Sequence, residues 1–298
     1  MTIFFNDIYT TWFSFTIKIT MSKLKKIIFK QIIFLLSIFF KPFKNYWLIS
    51  LSHGGGSFEA ENCKKFAQFL KKENTVNFKC VSEKIIKGLE NEIIRPYSLK
   101  YIYYSIFSKF LIVENDLHND LPGYRSNGTF KVNLFHGMAV KKIYHSSNKT
   151  SKIYKKNFIN MFKNFFSGFC FTDEYDLISV TNTFHKKKYI SAFKNKNIHV
   201  LGQPRNDHLR ENINETKKNI LSKLKLKKKI NKIILFLPTF RDSDKFFAEN
   251  VNFLKNKKLQ HYLKINNSII LSKHHYFYEN NFLKKKKNLT KFLVIFFH

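Results

Sequence analysis

Short apolar runs alternate with stretches of helical spacing along most of the chain. Residues 46–51 form an apolar run that ends at His53-Gly54-Gly55-Gly56-Ser57. An amphipathic segment follows, with Phe58, Cys63, Phe66, Phe69 and Leu70 at helical intervals. This pattern predicts strand, glycine turn, helix, the opening unit of an α/β domain. The turn is either a plain tight turn or a phosphate cradle at a helix N-terminus. It lacks G-K-[ST] and is not G-x-G-x-x-G. Further strands are predicted at 78–81, 110–113, 132–135, 198–201, 233–237 and 268–271, with an extended segment at 168–171. Helices are predicted at 99–108 and 158–166. Apolar strands of this kind imply parallel sheets buried on both faces.

The first 44 residues read differently. Met21 is a second plausible start, followed by Lys23, Lys25, Lys26 and Lys30 and by an apolar stretch from 32 to 40. That stretch is too short to span a bilayer, which takes about 20 apolar residues. Lys41-Pro42-Phe43-Lys44 follows, not the small-residue cleavage site of a signal peptide. Lysines on both sides of a short apolar helix suit an in-plane membrane anchor, and a buried first helix is the alternative.

Composition sharpens the picture. Lys and Arg total 53 against 20 acids, a net charge of +33, and only five of the 53 are Arg. The 35 Phe residues, with 9 Gly and 5 Pro, point to an A/T-rich coding bias, which discounts the charge as a signal. The chain is 44% hydrophobic and 17% aromatic, ample for buried cores. Cys63, Cys80 and Cys170 are odd in number and lack C-x-x-C spacing, so neither a disulfide framework nor a zinc site is expected. A basic nucleic-acid-binding protein would account for the charge. Against it, the lysines are spread over the whole chain and no nucleic-acid motif is present.

The rare residues fall at strand ends, where ligands of parallel sheets bind. His136-Gly137, Gly202-Gln203-Pro204-Arg205-Asn206-Asp207, Pro238-Thr239-Phe240-Arg241-Asp242 and Lys273-His274-His275 each follow a predicted strand. Two of the five arginines and two of the five prolines lie there. These segments resemble the CDP-glycerol glycerophosphotransferase family, whose members carry W-H-G-T-P-L-K-x-I, G-x-P-R-N-D, A-P-T-W-R-D and K-x-H-P in that order. The counterparts here run from Phe135 to Ile143, Gly202 to Asp207, Leu237 to Asp242 and Lys273 to Tyr276, and Asn62 also suits the pattern. Met138 and Ala139 stand where the family has Thr-Pro, and Tyr276 where it has proline.

The resemblance implies a GT-B-like fold with two Rossmann-type domains. The expected layout is an N-terminal extension over 1–44, an acceptor-side domain over 45–201 and a donor domain over 202–298. Only 97 residues run from Gly202 to His298, so the donor domain is expected to be incomplete. The tail from Lys284 reads as low-complexity sequence. The implied reaction moves glycerol phosphate from CDP-glycerol to a hydroxyl of a lipid-linked poly(glycerol phosphate), teichoic-acid or capsule acceptor, with release of CMP. A non-catalytic remnant of the family is the alternative.

The resemblance gives each residue its role. A hydroxyl needs a base, and His136 is the candidate. The donor diphosphate needs positive charge, for which Arg205, Arg241 and His275 (His274 is the alternative) are the candidates, with Asn206, Asp207, Thr239, Asp242 and Lys273 beside them. Gly137 admits a close approach of substrate, and Lys141 and Lys142 face the anionic acceptor. Neither metal nor other cofactor is called for. The expected location is cytoplasmic, peripheral at the inner membrane face.

Overall fold

The structure is a computed structural model that describes residues 28–53, 58–121, 128–139, 141–148, 151–154, 157–167, 174–210, 215, 218–219, 221–222, 230–237, 256–272 and 294–296. The chain divides into two compact units, Met1–Glu211 and Asn212–His298.

The first unit holds a seven-stranded, all-parallel sheet. Its strands in chain order are β1 (Lys44–Ser50), β4 (Asn77–Val81), β5 (Ile93–Ile94), β6 (Ser108–Val113), β7 (Phe130–Asn133), β8 (Leu177–Val180) and β9 (Ile198–Val200). A separate antiparallel pair, β2 (Ser52–His53) and β3 (Phe58–Glu59), lies between β1 and the first long connecting helix. In space the sheet runs β5-β4-β1-β6-β7-β8-β9. The order reverses between β1 and β6, the topological switch point of a Rossmann-type sheet.

Both faces of this sheet are covered, and neighbouring residues of one strand serve opposite cores. Leu48 and Leu111 join one apolar cluster with Ile178, Tyr189 and Phe193. Ile49 and Ile112 join the other with Cys63, Ala67, Phe78 and Cys80. Continuous apolar strands are the consequence of this two-sided burial. The helix over residues 28–39 (α1) joins the first cluster through buried Ile33, and Phe29 meets the rings of Tyr97 and Tyr101. Helix α2 (Glu61–Glu73) buries Cys63, Ala67 and Leu70 at i, i+4, i+7 and ends on Asn74 at φ +50°. Three further helices, α3 (Leu99–Phe107), α4 (Leu117–Asp120) and α5 (Ser151–Tyr154), lead to α6 (Phe158–Ser167) and α7 (Thr183–Phe193). Side-chain caps from Ser98 and Asn182 start α3 and α7.

The second unit carries a three-stranded parallel sheet of β10 (Lys232–Phe236), β11 (Ser268–Ser272) and β12 (Val294–Phe296), with a helix over Lys257–Ile265. Val294–Phe296, inside the tail read from sequence as low-complexity, pairs in register with Ile270–Ser272. The predicted extended segment 168–171 and the glycines of the 53–57 turn lie outside the described residues.

Candidate active site

The carboxyl ends of β1, β6, β7 and β9 bring together the N-terminus of α2, Glu114, the loop from Phe135 to Ala139 and the turn Pro204–Arg210. Each part is held by a nameable contact.

Helix α2 begins without a side-chain cap of its own, because Ala60 stands at the N-cap. The carboxylate of Glu114, directly after β6, supplies the cap from across the switch point. Its Oε2 accepts from the amides of Asn62 (2.8 Å) and Cys63 (3.2 Å). A carboxylate there satisfies two otherwise orphaned N–H groups and complements the helix dipole. These amides are therefore occupied by protein, which leaves the phosphate-cradle reading of this helix start without donors at Asn62 and Cys63. Burial pushes the Glu114 carboxyl up to about 7, against the opposing pull of the two amides and of Arg205. Asp120 lies behind it, and its Oδ2 accepts from the amides of Glu114 (3.2 Å) and Asn115 (2.8 Å). Burial also raises its carboxyl well above the usual range.

The loop that carries His136 leaves β7 through an abrupt change of direction. Sequence pattern predicts strand through Phe135, but β7 ends at Asn133. Phe135 sits at φ +50°, a left-handed conformation that costs a bulky residue on the order of 1 kcal/mol or more. Its surroundings hold it there. The Phe135 amide donates to Asn133 Oδ1 (2.8 Å), and its carbonyl accepts from Asn62 Nδ2 (2.7 Å) and Gln203 Nε2 (3.4 Å). Its ring packs edge-on against Tyr189 and Phe193. Beyond it, Tyr189 Oη donates to the Gly137 carbonyl and accepts from the Ala139 amide, both at 2.9 Å. His136 is thus presented, exposed, on a pinned loop.

The Pro204–Arg210 turn is introduced by Gly202 at φ +86°, where an L side chain would be strained. Ser179 Oγ donates to the Gly202 carbonyl (2.7 Å). The Arg205 amide donates to Asn62 Oδ1 (3.1 Å). A Cβ built on Gly137 would lie 3.2 Å from Arg205 Nη2, so the guanidinium lies beside Gly137. Asn206 and Asp207 are exposed on the same turn. This turn, expected at the start of the donor domain, packs on α2 within the first unit.

Lys141 and Lys142 lie one step further along the loop. With Lys188, Ser146, Ala139 and Tyr189 they line a cavity of about 300 Å³. Thr239, Arg241, Asp242, Lys273 and His275 lie outside the described residues. Sequence reasoning missed Glu114 and the role of Asn62. A signal existed: an acid immediately after an apolar strand at the switch point, and an amide at the second position of the first helix.

A seven-stranded parallel sheet of this order, with its polar loops gathered at the carboxyl edge, is a Rossmann-type α/β unit, and superposition on solved structures makes the fold GT-B-like. The chain belongs to the CDP-glycerol:poly(glycerophosphate) glycerophosphotransferase family, whose family model matches residues 32–295. It is 27% identical over 189 residues to the teichoic acid poly(glycerol phosphate) polymerase of Bacillus spizizenii, a match covering 58% of this chain and 44% of that protein. The match thus takes in less than half the length of that relative. Among solved structures, a histidine-to-asparagine variant of the wall teichoic acid polymerase TagF, soaked with CDPG for 30 minutes, superposes with a TM-score of 0.64 at 18% identity, over 96% of this chain and 69% of that one. A histidine-to-alanine variant of TagF gives 0.63 at 19% identity, over 91% and 66%. These two likenesses are of fold.

Proposed function

We propose that this chain transfers glycerol phosphate from CDP-glycerol to a terminal hydroxyl of a lipid-linked poly(glycerol phosphate) or related teichoic-acid or capsule acceptor, releasing CMP. The observation that carries the reading is the placement of Arg205 beside Gly137, next to His136 in the chain, in a protein that belongs to this family. The acceptor oxygen attacks the glycerol-bearing phosphorus, and its proton passes to the His136 imidazole. The bond from that phosphorus to the bridging oxygen breaks, and its electron pair leaves with CMP. Arg205 donates to the phosphate oxygens as charge develops, a fork geometry that lysine lacks. Arg241 and His275 are further ligands of the donor phosphates in this reading, with Thr239, Asp242 and Lys273 beside them and Asn206 and Asp207 beside Arg205. Lys141 and Lys142 meet the acceptor's own phosphates.

The same reading holds the protein at the inner face of the cell membrane. Helix α1 supports this, because Ile28, Ile32, Leu35 and Phe39 form one exposed apolar stripe while Ile33 faces the core. No described helix is long and apolar enough to cross a membrane.

The test is incubation with CDP-glycerol labelled in the glycerol moiety and a short lipid-linked glycerol phosphate acceptor. Label in the acceptor with an equal yield of CMP is expected. A folded chain that gives neither overturns the proposal. CMP release without labelled acceptor overturns its transferase half.

A further inference from the structure

We infer that Asn62 is a positioning residue for transfer: its carboxamide sets the distance between the His136 loop and the Arg205 turn. The inference rests on the roles proposed above for His136 and Arg205.

Asn62 is fully buried at the second position of α2. Its two side-chain polar atoms face different segments. Nδ2 donates to the Phe135 carbonyl (2.7 Å), 73 residues away, and Oδ1 accepts from the Arg205 amide (3.1 Å), 143 residues away. Its own backbone amide is anchored on Glu114 Oε2 (2.8 Å). One side chain thus ties the peptide immediately before the proposed base to the backbone of the proposed phosphate ligand. The switch-point helix is the fixed reference.

The residue type follows from the geometry. One segment offers a carbonyl and the other an N–H, so the bridge must present a donor and an acceptor on a short stem. Asparagine does this; aspartate lacks the donor, serine the reach and alanine both. Among the described residues, the Phe135 carbonyl has a second donor only in Gln203 Nε2 at 3.4 Å. Loss of Asn62 would therefore free both segments at once. Phe135, held at φ +50°, would lose a restraint that keeps it there. A shift of about 1 Å at reacting groups costs on the order of 10²-fold in rate.

The experiment is a double-mutant cycle in the full chain, with transfer from CDP-glycerol as readout and backbone hydrogen exchange alongside. Asn62→Ala is expected to lower kcat on the order of 10²-fold. In a His136→Ala background the same change should cost clearly less, because one of the two groups being positioned is gone and only Arg205 remains to be displaced. Equal costs in the two backgrounds would assign Asn62 a general structural role and overturn the inference. If Asn62→Ala does not fold, Asn62→Asp keeps the acceptor for Arg205 and removes the donor to Phe135. Its Phe135 and Ala139 amides should then exchange faster while the Arg205 amide stays protected. Absence of transfer by the unsubstituted chain refutes the proposed reaction and leaves exchange to decide the positioning. In Asn62→Ala, the amides of Phe135, Ala139 and Arg205 should exchange faster together while those of Leu111 and Ile112 hold. Unchanged exchange at the three would sink the inference.

Discussion

Arg205 lies so close to Gly137 that a methyl group at Gly137 would stand 3.2 Å from Nη2. The two residues come from loops after different strands, β7 and β9, and the absence of a side chain at Gly137 is what admits the guanidinium. Gly137→Ala should displace the flexible end of Arg205 by a few tenths of an ångström. Stability should fall as well, since Gly137 sits at φ +158°, which an L side chain rarely adopts. Transfer should fall on the order of 10-fold, because a phosphate ligand has left its place. A purified Gly137→Ala protein with unchanged kcat/KM would show that Arg205 does not act from this position.

His136 carries the heaviest catalytic expectation. Replacing it with alanine should cut transfer by on the order of 10²–10⁴-fold, the weight of a positioned general base. Binding of CDP-glycerol should survive, because the role proposed for the imidazole is on the acceptor side. Parallel measurement of kcat and of donor affinity checks both halves. Near-normal turnover would remove His136 from the mechanism.

The Glu114 carboxyl makes stability depend on pH. Its ordinary value of 4.5 is raised to about 7 in the fold, chiefly by burial. The folded chain therefore holds this proton more tightly than the unfolded chain. The stability it contributes is complete below 4.5 and is lost as pH rises through about 7. The whole effect is on the order of 3 kcal/mol. Glu114→Gln keeps the shape and an acceptor for the α2 amides but cannot ionise. The stability difference between the native chain and this variant should swing by about 2–3 kcal/mol between pH 5 and pH 8, in the variant's favour at the higher pH. Urea titrations at the two pH values measure it, and a constant difference would contradict the raised value.

How far the sequence discloses this molecule depends on what each element is made of. The strand at 110–113 is legible because burial on two faces demands an uninterrupted apolar run, and those at 78–81 and 233–237 because short apolar clusters stand out. The structure has β4, β6 and β10 there within two residues. Leu177–Val180 escapes notice because a four-residue strand offers no period to read. Helix α7 escapes because Phe184, Tyr189, Ile190, Ala192 and Phe193 make no single apolar face amid Lys186, Lys187 and Lys188. In the site, His136, Gly137 and Arg205 stand out as scarce residues at strand ends. Glu114 and Asn62 do not, since their importance lies in contacts across 52 and 73 residues that no local pattern encodes.

The membrane-facing assignment makes the last prediction, and the structure changes how it should be tested. Deleting the whole N-terminal segment would remove Ile33 from the core and Phe29 from its contacts with Tyr97 and Tyr101, so lost binding would be confounded with lost folding. Ile28, Ile32, Leu35 and Phe39 are 50%, 42%, 55% and 80% exposed, so they can be exchanged for glutamine with the packed face of α1 left intact. Two forces hold such a surface to a bilayer: the apolar stripe inserts at the interface, and nearby lysines contribute about 1 kcal/mol each on anionic lipid. Only the second is screened by salt. With liposomes containing anionic lipid, the native chain should co-sediment at low salt and be partly released at 1 M salt. The four-glutamine variant should bind at low salt and be released completely at high salt, with an unchanged melting temperature. Full release of the native chain at high salt would mean that the stripe does not insert. Failure to bind anionic liposomes at low salt would remove the membrane from the proposal, and the lysines would then reflect the coding bias that their abundance already suggests.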